Sequence, residues 1–288
     1  MLRFSKIFTI VLLLFVHSVK AQIELGLTGG VSYYIGDLNP YQHFRSNHFA
    51  GGIFLRDNVN DRFAWRLSFT YGNVSGADSL SSNPNRSARN LSFRSRIIEI
   101  GPIFELTFVK FSLGNITDKS ATFYLLAGLT YFNMNPQGRL NGEYVDLQPL
   151  GTEGQGTNLN SRRAYSLNQI SIPLGIGMKG NISKRVCIGL EYGLRKTFTD
   201  YLDDVSGKYV DPNQLAIQNG PMAAHFANQS TDSPAIAGTL RGNPNTKDWY
   251  AFALATLSVR LGKLNKCYSF SSKRSEERRV GKECRSRW

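Results

Sequence analysis

Residues Arg62 to Tyr71 read R-F-A-W-R-L-S-F-T-Y, with Phe63, Trp65, Leu67, Phe69 and Tyr71 alternating against Arg62, Ala64, Arg66, Ser68 and Thr70. A strict period of two belongs to an extended strand, whose successive side chains point to opposite faces. Five large apolar groups on one face would suit the half-buried strand of a soluble sandwich, provided the face with the two arginines meets water. They suit a membrane barrel equally well, with the apolar face toward lipid and the small and charged face toward a polar lumen. Ten residues rising about 3.3 Å each and tilted by roughly 45° span about the 25 Å apolar band of such a barrel. The rest of the chain decides between the two.

The same alternation recurs along the chain. Ile23, Leu25, Leu27, Val31 and Tyr33 define a first strand, and His48 to Asp57 a second with Phe49, Gly51, Ile53 and Leu55 on one side. After the Arg62 to Tyr71 strand, a fourth runs to about Phe108, with Ile98, Ile100, Phe104 and Leu106 opposite Glu99 and Glu105. Pro102 within it predicts a bulge or local bend, because proline cannot donate to a ladder. Thr122 to Asn133, Leu167 to Lys179, Arg185 to Lys196 and Trp249 to Leu261 complete eight strands, the last with a facing blurred by its alanines. Connections two-three and six-seven take about four residues, four-five is intermediate, and the other four are long. A soluble sandwich has no reason to segregate loop lengths in this way. The pattern predicts an all-β fold, an eight-stranded antiparallel transmembrane β-barrel with long extracellular loops and short periplasmic turns.

The ends divide the chain further. M-L-R-F-S-K, the apolar run Ile7 to Val16 and Val19-Lys20-Ala21 have the parts of a secretory signal, so 1–21 is expected to be removed. The barrel then spans 22–262 and a periplasmic tail 263–273. Residues 274–288 have no apolar period and resemble a translated sequencing adapter, so they are set apart as non-native read-through. Leader and read-through carry six of the thirteen net positive charges, leaving +7 for the mature barrel. These bases are scattered over alternating strands, and nothing gathers them into a nucleic-acid patch. Anionic head groups of outer-membrane lipid and lipopolysaccharide are the expected partners. Cys187 and Cys267 remain once Cys284 is set aside; a disulfide between them is not expected, and no metal-ligand spacing is present.

Strand parity places Glu24, Arg62, Arg66, Glu99, Glu105, Arg185 and Glu191 toward the lumen. An eight-stranded barrel leaves room for little beyond side chains, so these charges are expected to pair as a structural plug. Phe63, Trp65, Leu67, Phe69 and Tyr71 are expected to face lipid. Asp200, Asp203, Asp204 and Asp211 invite a calcium reading, but their spacing matches no compact calcium loop and a solvated acidic loop is expected. Gly151 to Gly156, G-T-E-G-Q-G, lacks the lysine and helix of a phosphate-binding loop and reads as a shaped loop over the barrel mouth. No cofactor, metal site or catalytic residue is assigned. His43, His48 and His225 are the histidines open to a lipid A-modifying enzyme, and Ser46 near His48 forms no motif.

Four segments carry a family resemblance: Glu24 to Pro40 (E-L-G-L-T-G-G-V-S-Y-Y-I-G-D-L-N-P), Arg89 to Arg96 (R-N-L-S-F-R-S-R), Tyr144 to Gly156 (Y-V-D-L-Q-P-L-G-T-E-G-Q-G) and Gly189 to Ser206 (G-L-E-Y-G-L-R-K-T-F-T-D-Y-L-D-D-V-S). They resemble the outer-membrane barrel subunit of the type IX (Por) secretion system and its close barrel relatives. The resemblance implies a non-enzymatic barrel in the outer membrane of a Gram-negative bacterium; the signal peptide, which delivers the chain to the periplasm, leads to the expectation that both termini stay there. The resemblance also implies docking to periplasmic lipoprotein and ring subunits, with the tail 263–273 available for contact. A generic structural or adhesive barrel is the alternative.

Overall fold

The computed structural model describes residues 22–111, 121–230 and 235–261. The expected signal segment, the tail 263–273 and the read-through 274–288 lie outside them. Ten strands are formed: β1 (Gln22–Ile35), β2 (His48–Asn58), β3 (Phe63–Ala77), β4 (Ser92–Thr107), β5 (Ala121–Gly128), β6 (Thr130–Leu140), β7 (Glu143–Asp146), β8 (Asn168–Asn181), β9 (Val186–Thr197) and β10 (Trp249–Arg260). Pairing is antiparallel throughout, and β1 binds both β2 and β10, so the sheet closes on itself without an edge. β5 and β6 are one strand interrupted at Leu129, since Ile103↔Gly128 and Ile100↔Tyr131 keep a single register. The ring therefore has eight staves. β7 pairs only with β6 and prolongs that hairpin beyond the ring. Among the described residues no helix is long and apolar enough to cross a membrane.

The bulge expected at Pro102 is absent, because the register passes through it unbroken. What proline costs is one rung. The Leu129 N–H donates to the Pro102 carbonyl at 3.2 Å, but proline has no N–H to return the bond, and the strand breaks at Leu129 instead.

Short turns, residues 59–62 and 182–185, close one end of the barrel, and the described chain ends sit there too: Gln22 pairs with Asn58 and Glu24 with Arg260. In this half the outer wall is apolar and exposed, with Leu25, Ile53, Leu67, Phe104, Leu125 and Leu190 among its members. A shallow apolar depression of about 680 Å³ belongs to the same wall, where Gly29, Ala253 and Ala255 leave room beside Ile176, Leu190 and Tyr192. Toward the long loops the pattern inverts. On β3 the apolar residues are outward through Tyr71, but Val74 points inward and is fully buried while Asn73 and Ser75 take the outer face. On β4, Ile98 and Ile100 face out, whereas Arg96 and Arg94 continue that face and Ile97 and Phe93 fill the interior. On β6, Phe132 and Met134 point inward. Beyond the apolar band the barrel is thus built like a soluble protein, polar outside and apolar inside.

Candidate functional site

The interior of the apolar-walled half holds the first group of convergent side chains. Glu105 on β4 accepts from Arg56 Nη2 at 2.9 Å and Lys179 Nζ at 2.8 Å, with Arg66 Nη1 at 3.4 Å. Arg56 also reaches Glu24 at 3.1 Å, and Glu24 accepts from Ser258 Oγ and Asn58 Nδ2, both at 2.5 Å. Arg66 pairs with Glu191 at 2.7 Å, and the Tyr124 hydroxyl donates to the same carboxylate at 3.0 Å. One layer higher, Arg195 lies 3.3 Å from Glu99, which also accepts from Tyr250 at 2.7 Å. Four carboxylates thus face four cations, and each charge is compensated within the network, as burial demands. Glycines on facing positions make the space: a Cβ on Gly26 would stand 2.1 Å from the Phe54 ring, over which Arg56 and Arg66 are stacked. Arg56, Arg66 and Arg195 are each 1% exposed, so water has almost no access to them and the lumen is a packed plug, not a pore.

Strand parity puts five members of this network, Glu24, Arg66, Glu99, Glu105 and Glu191, on the inward face they occupy. Arg62 and Arg185 do not belong to it. Both lie one residue before their strands begin, at Phe63 and Val186, and are exposed in the short turns, where parity no longer fixes direction. Arg56, Lys179 and Arg195 are the members that the sequence reading misses, although each continues the inward parity of a recognised strand, opposite Leu55, Met178 and Leu194. Extending the alternation to the strand ends finds all three. On the outer wall Phe63, Leu67, Phe69 and Tyr71 are exposed and Trp65 is partly covered. Cys187 is a buried free thiol; Cys267 lies outside the described residues.

The second group closes the opposite end. The acidic loop expected to be solvated is buried instead, because the other loops supply donors to its carboxylates. Asp204 accepts from Tyr165 at 2.6 Å and Thr152 at 2.5 Å, and Asp200 from Ser206 Oγ at 2.6 Å. Asp203 accepts from Tyr34 at 2.5 Å, and the same hydroxyl lies 3.0 Å from Asp248. Asp211 stands apart as the N-cap of the helix Pro212–Asn219. The G-T-E-G-Q-G loop enters here: Gly151, Gly154 and Gly156 take positive φ, and the turns they permit bring Glu153 under the backbone of Ser206 and Gly207, whose N–H groups donate at 2.8 and 2.9 Å. Arg241 binds Glu153 at 3.2 Å and donates to the backbone carbonyls of Ala227, Phe226 and Asp204. Arg89 clasps Asp78 with two bonds of 2.7 Å and donates to the Asp37 and Arg241 carbonyls. The four segments that carry the family resemblance all contribute to this cap.

Burial raises the Asp204 carboxyl to about 6 against the pull of Arg241, which is 3.8 Å away and closer to Glu153. Asp203 and Asp248 are held well above the carboxylate range, first by burial and then by the charge of Asp248 on Asp203 and of Asp200 on Asp248. A single Tyr34 proton cannot satisfy both carboxylates, and their environment favours retaining a proton. Among the described residues no group of three or more histidine, cysteine, aspartate or glutamate side chains is arranged to hold a metal ion. Beneath the cap, Leu202 and Val205 join Tyr34, Phe93, Ile97, Phe132 and Phe252 in one apolar core inside the barrel.

A closed ring of eight staves, an apolar outer belt and a charge-compensated interior define a small β-barrel of the outer-membrane type. Within that class, residues 5–223 match the family described as Domain of unknown function (DUF6089), and the chain belongs to that family. No characterised protein matches it in sequence. Solved structures similar in form include Ail, the attachment invasion locus protein of Yersinia pestis, in complex with the heparin analogue sucrose octasulfate, at 8% identity and a TM-score of 0.40 over 84% of this chain and 100% of that one. Neisserial surface protein A is similar at 10% identity and 0.41, covering 83% and 97%. A major outer membrane protein from Thermus thermophilus is similar at 9% and 0.39, covering 83% and 99%. At these scores the likenesses describe form alone.

Proposed function

We propose that the protein is a non-enzymatic anchor in the outer membrane of a Gram-negative bacterium, serving as the membrane subunit of a type IX secretion assembly. The observation that carries the anchoring role is the sealed interior: three arginines at 1% exposure and a buried loop cap leave no conduit, so the barrel acts through its surfaces. The secretion assignment is supported by the family-like segments, which meet in the cap. With the short turns and the chain ends in the periplasm, periplasmic subunits are contacted by residues 59–62 and 182–185 and by the tail. Single cysteines at Val59 or Lys184, in an otherwise cysteine-free chain, are expected to crosslink to a periplasmic lipoprotein or ring subunit, while one at Ile217 is not. Deletion of the gene is expected to stop export of proteins bearing the type IX signal; normal export without crosslinks would overturn the proposal.

Two observations support other readings. Ile217 is 83% and Ile236 75% exposed on the long loops, which suits an adhesive surface. His48 Nε2 lies 2.7 Å from Ser75 Oγ, the contact a lipid A-modifying hydrolase would need. Among the described residues no carboxylate orients His48, so the third member of such a site is missing. Unchanged lipid A in a Ser75→Ala strain is the result expected of an anchor.

A further inference from the structure

We infer that the outer face of β3, β4 and β6, just above the apolar band, is a binding site for the phosphate of an outer-leaflet glycolipid. A pocket of about 210 Å³ opens on this face, lined by Ser46, His48, Ser75, Arg94, Arg139 and Tyr144 among others. Its volume is below the roughly 300–1,000 Å³ of ordinary small-molecule sites, which suits a head-group fragment rather than a whole metabolite. Two cations, Arg94 and Arg139, line the pocket, and a third, Arg96, flanks it on the same face. Arg94 stands between Ser75 on β3 and Gln137 on β6, and Arg96 between Asn73 and Asn135 one step nearer the membrane. Arg139 enters from the β6–β7 hairpin, paired with Tyr144.

Among the described residues none of these arginines makes an ion pair, in contrast to Arg56, Arg66, Arg89, Arg195 and Arg241. The carboxylate on the same face, Asp146, is engaged by the amides of Asn135 and Gln137 at 2.9 and 2.7 Å. Arg94 is already held, its guanidinium 5.1 Å from the Tyr144 ring centroid. Stacking of that kind fixes the plane of the fork that grips phosphate oxygens.

Height selects the ligand. On β4 the outward residues change from Ile100 and Ile98 to Arg96 and Arg94. Four residues of tilted strand rise about 10 Å, so the arginines stand at head-group level and not in bulk solvent. At this level the anions within reach of a barrel wall are the phosphates of the surrounding lipid, and basic pockets at membrane interfaces take such groups. The inference rests on the outer-membrane reading, because the leaflet on the long-loop side must then carry phosphorylated glycolipid.

The test uses the full chain folded in vesicles containing either phosphorylated lipid A or its dephosphorylated form, followed by detergent extraction and measurement of retained lipid. Wild-type protein is expected to retain phosphorylated lipid A about tenfold better. Arg94→Gln with Arg139→Gln should abolish the preference, while Arg185→Gln, in a short turn, should not. Should the double variant fail to give the heat-shifted gel band of a folded barrel, Arg96→Gln alone provides the reading. Equal retention of the two lipids, or a preference untouched by the arginine variants, would overturn the inference. So would displacement by millimolar inorganic phosphate, which would mark a soluble-anion site. Retention in vesicles is independent of cell fractionation, so failure of the outer-membrane reading registers separately, as recovery of the protein outside that membrane.

Discussion

The two halves of the barrel solve one problem in opposite ways. Near the short turns the wall is apolar and the interior ionic; near the long loops the wall is polar and the interior is an aromatic core under a lid of carboxylates and hydroxyls. The strands run through both, and β3 and β4 change solvent midway, at Tyr71 to Val74 and at Ile98 to Arg96. The inversion point marks where lipid ends. In the lower half charges are matched one to one, whereas in the cap acids outnumber Arg89 and Arg241, and hydroxyl and backbone donors compensate most of them.

The comparison breaks most sharply at Glu105. Glu105→Ala leaves Arg56 and Lys179 facing each other without their shared acid and is expected to cost about 3–5 kcal/mol, or to prevent folding. Arg62→Ala and Arg185→Ala, exposed in the turns, should stay within about 0.5 kcal/mol; urea titration of the refolded barrel measures all three. Equal costs would mean that the ionic plug is dispensable. Next in size is the test of the inversion. Leu67→Arg, in the middle of the apolar band, is expected to cost about 2–4 kcal/mol in a bilayer. Asn73→Arg, six residues along the same face and above the band, should fall within about 0.5 kcal/mol. If both cost the same, the membrane boundary is misplaced.

The smallest effect concerns the cap. Asp204 has a folded-state pKa raised to about 6, above its unfolded value, so its contribution to cap stability is fully present below about pH 4 and is lost as pH rises through 6. Opening of the lid, read from amide exchange at Ser206 and Gly207 corrected for intrinsic rates, should increase at least about tenfold between pH 4 and 6 and only about twofold between pH 6 and 8. Asp204→Asn should make that dependence shallower, leaving the share of the neighbouring Asp200, Asp203 and Asp248, and a dependence unchanged in Asp204→Asn would assign the proton to those carboxyls.

The staves are legible in the sequence because lipid imposes a period of two that nothing else in the chain imitates. That period ends strand three at Tyr71 and strand five at Asn133, while the structure carries them to Ala77 and Leu140. The inversion hides those ends: beyond Tyr71 the apolar residues move to the other parity, and a reading that holds one phase stops there. Arg62 and Arg185 are misplaced for the complementary reason, since parity is extended past the strand starts. The cap is beyond reach, because nothing in G-T-E-G-Q-G announces that Glu153 will be buried under Ser206, 53 residues away.

The cap's contacts are also very distant along the chain. The Tyr34 hydroxyl meets Asp248 across 214 residues, and the Asn243 N–H donates to Asp37 across 206. Both join the end of the first strand to residues just before the last, so they form only as the last strand pairs with the first. Contacts of such separation are slow to assemble, because the entropy of closing the loop is lost before any bond repays it. The lid is therefore a record of ring closure: it locks only after the last strand has joined the first, and once locked it opposes their separation.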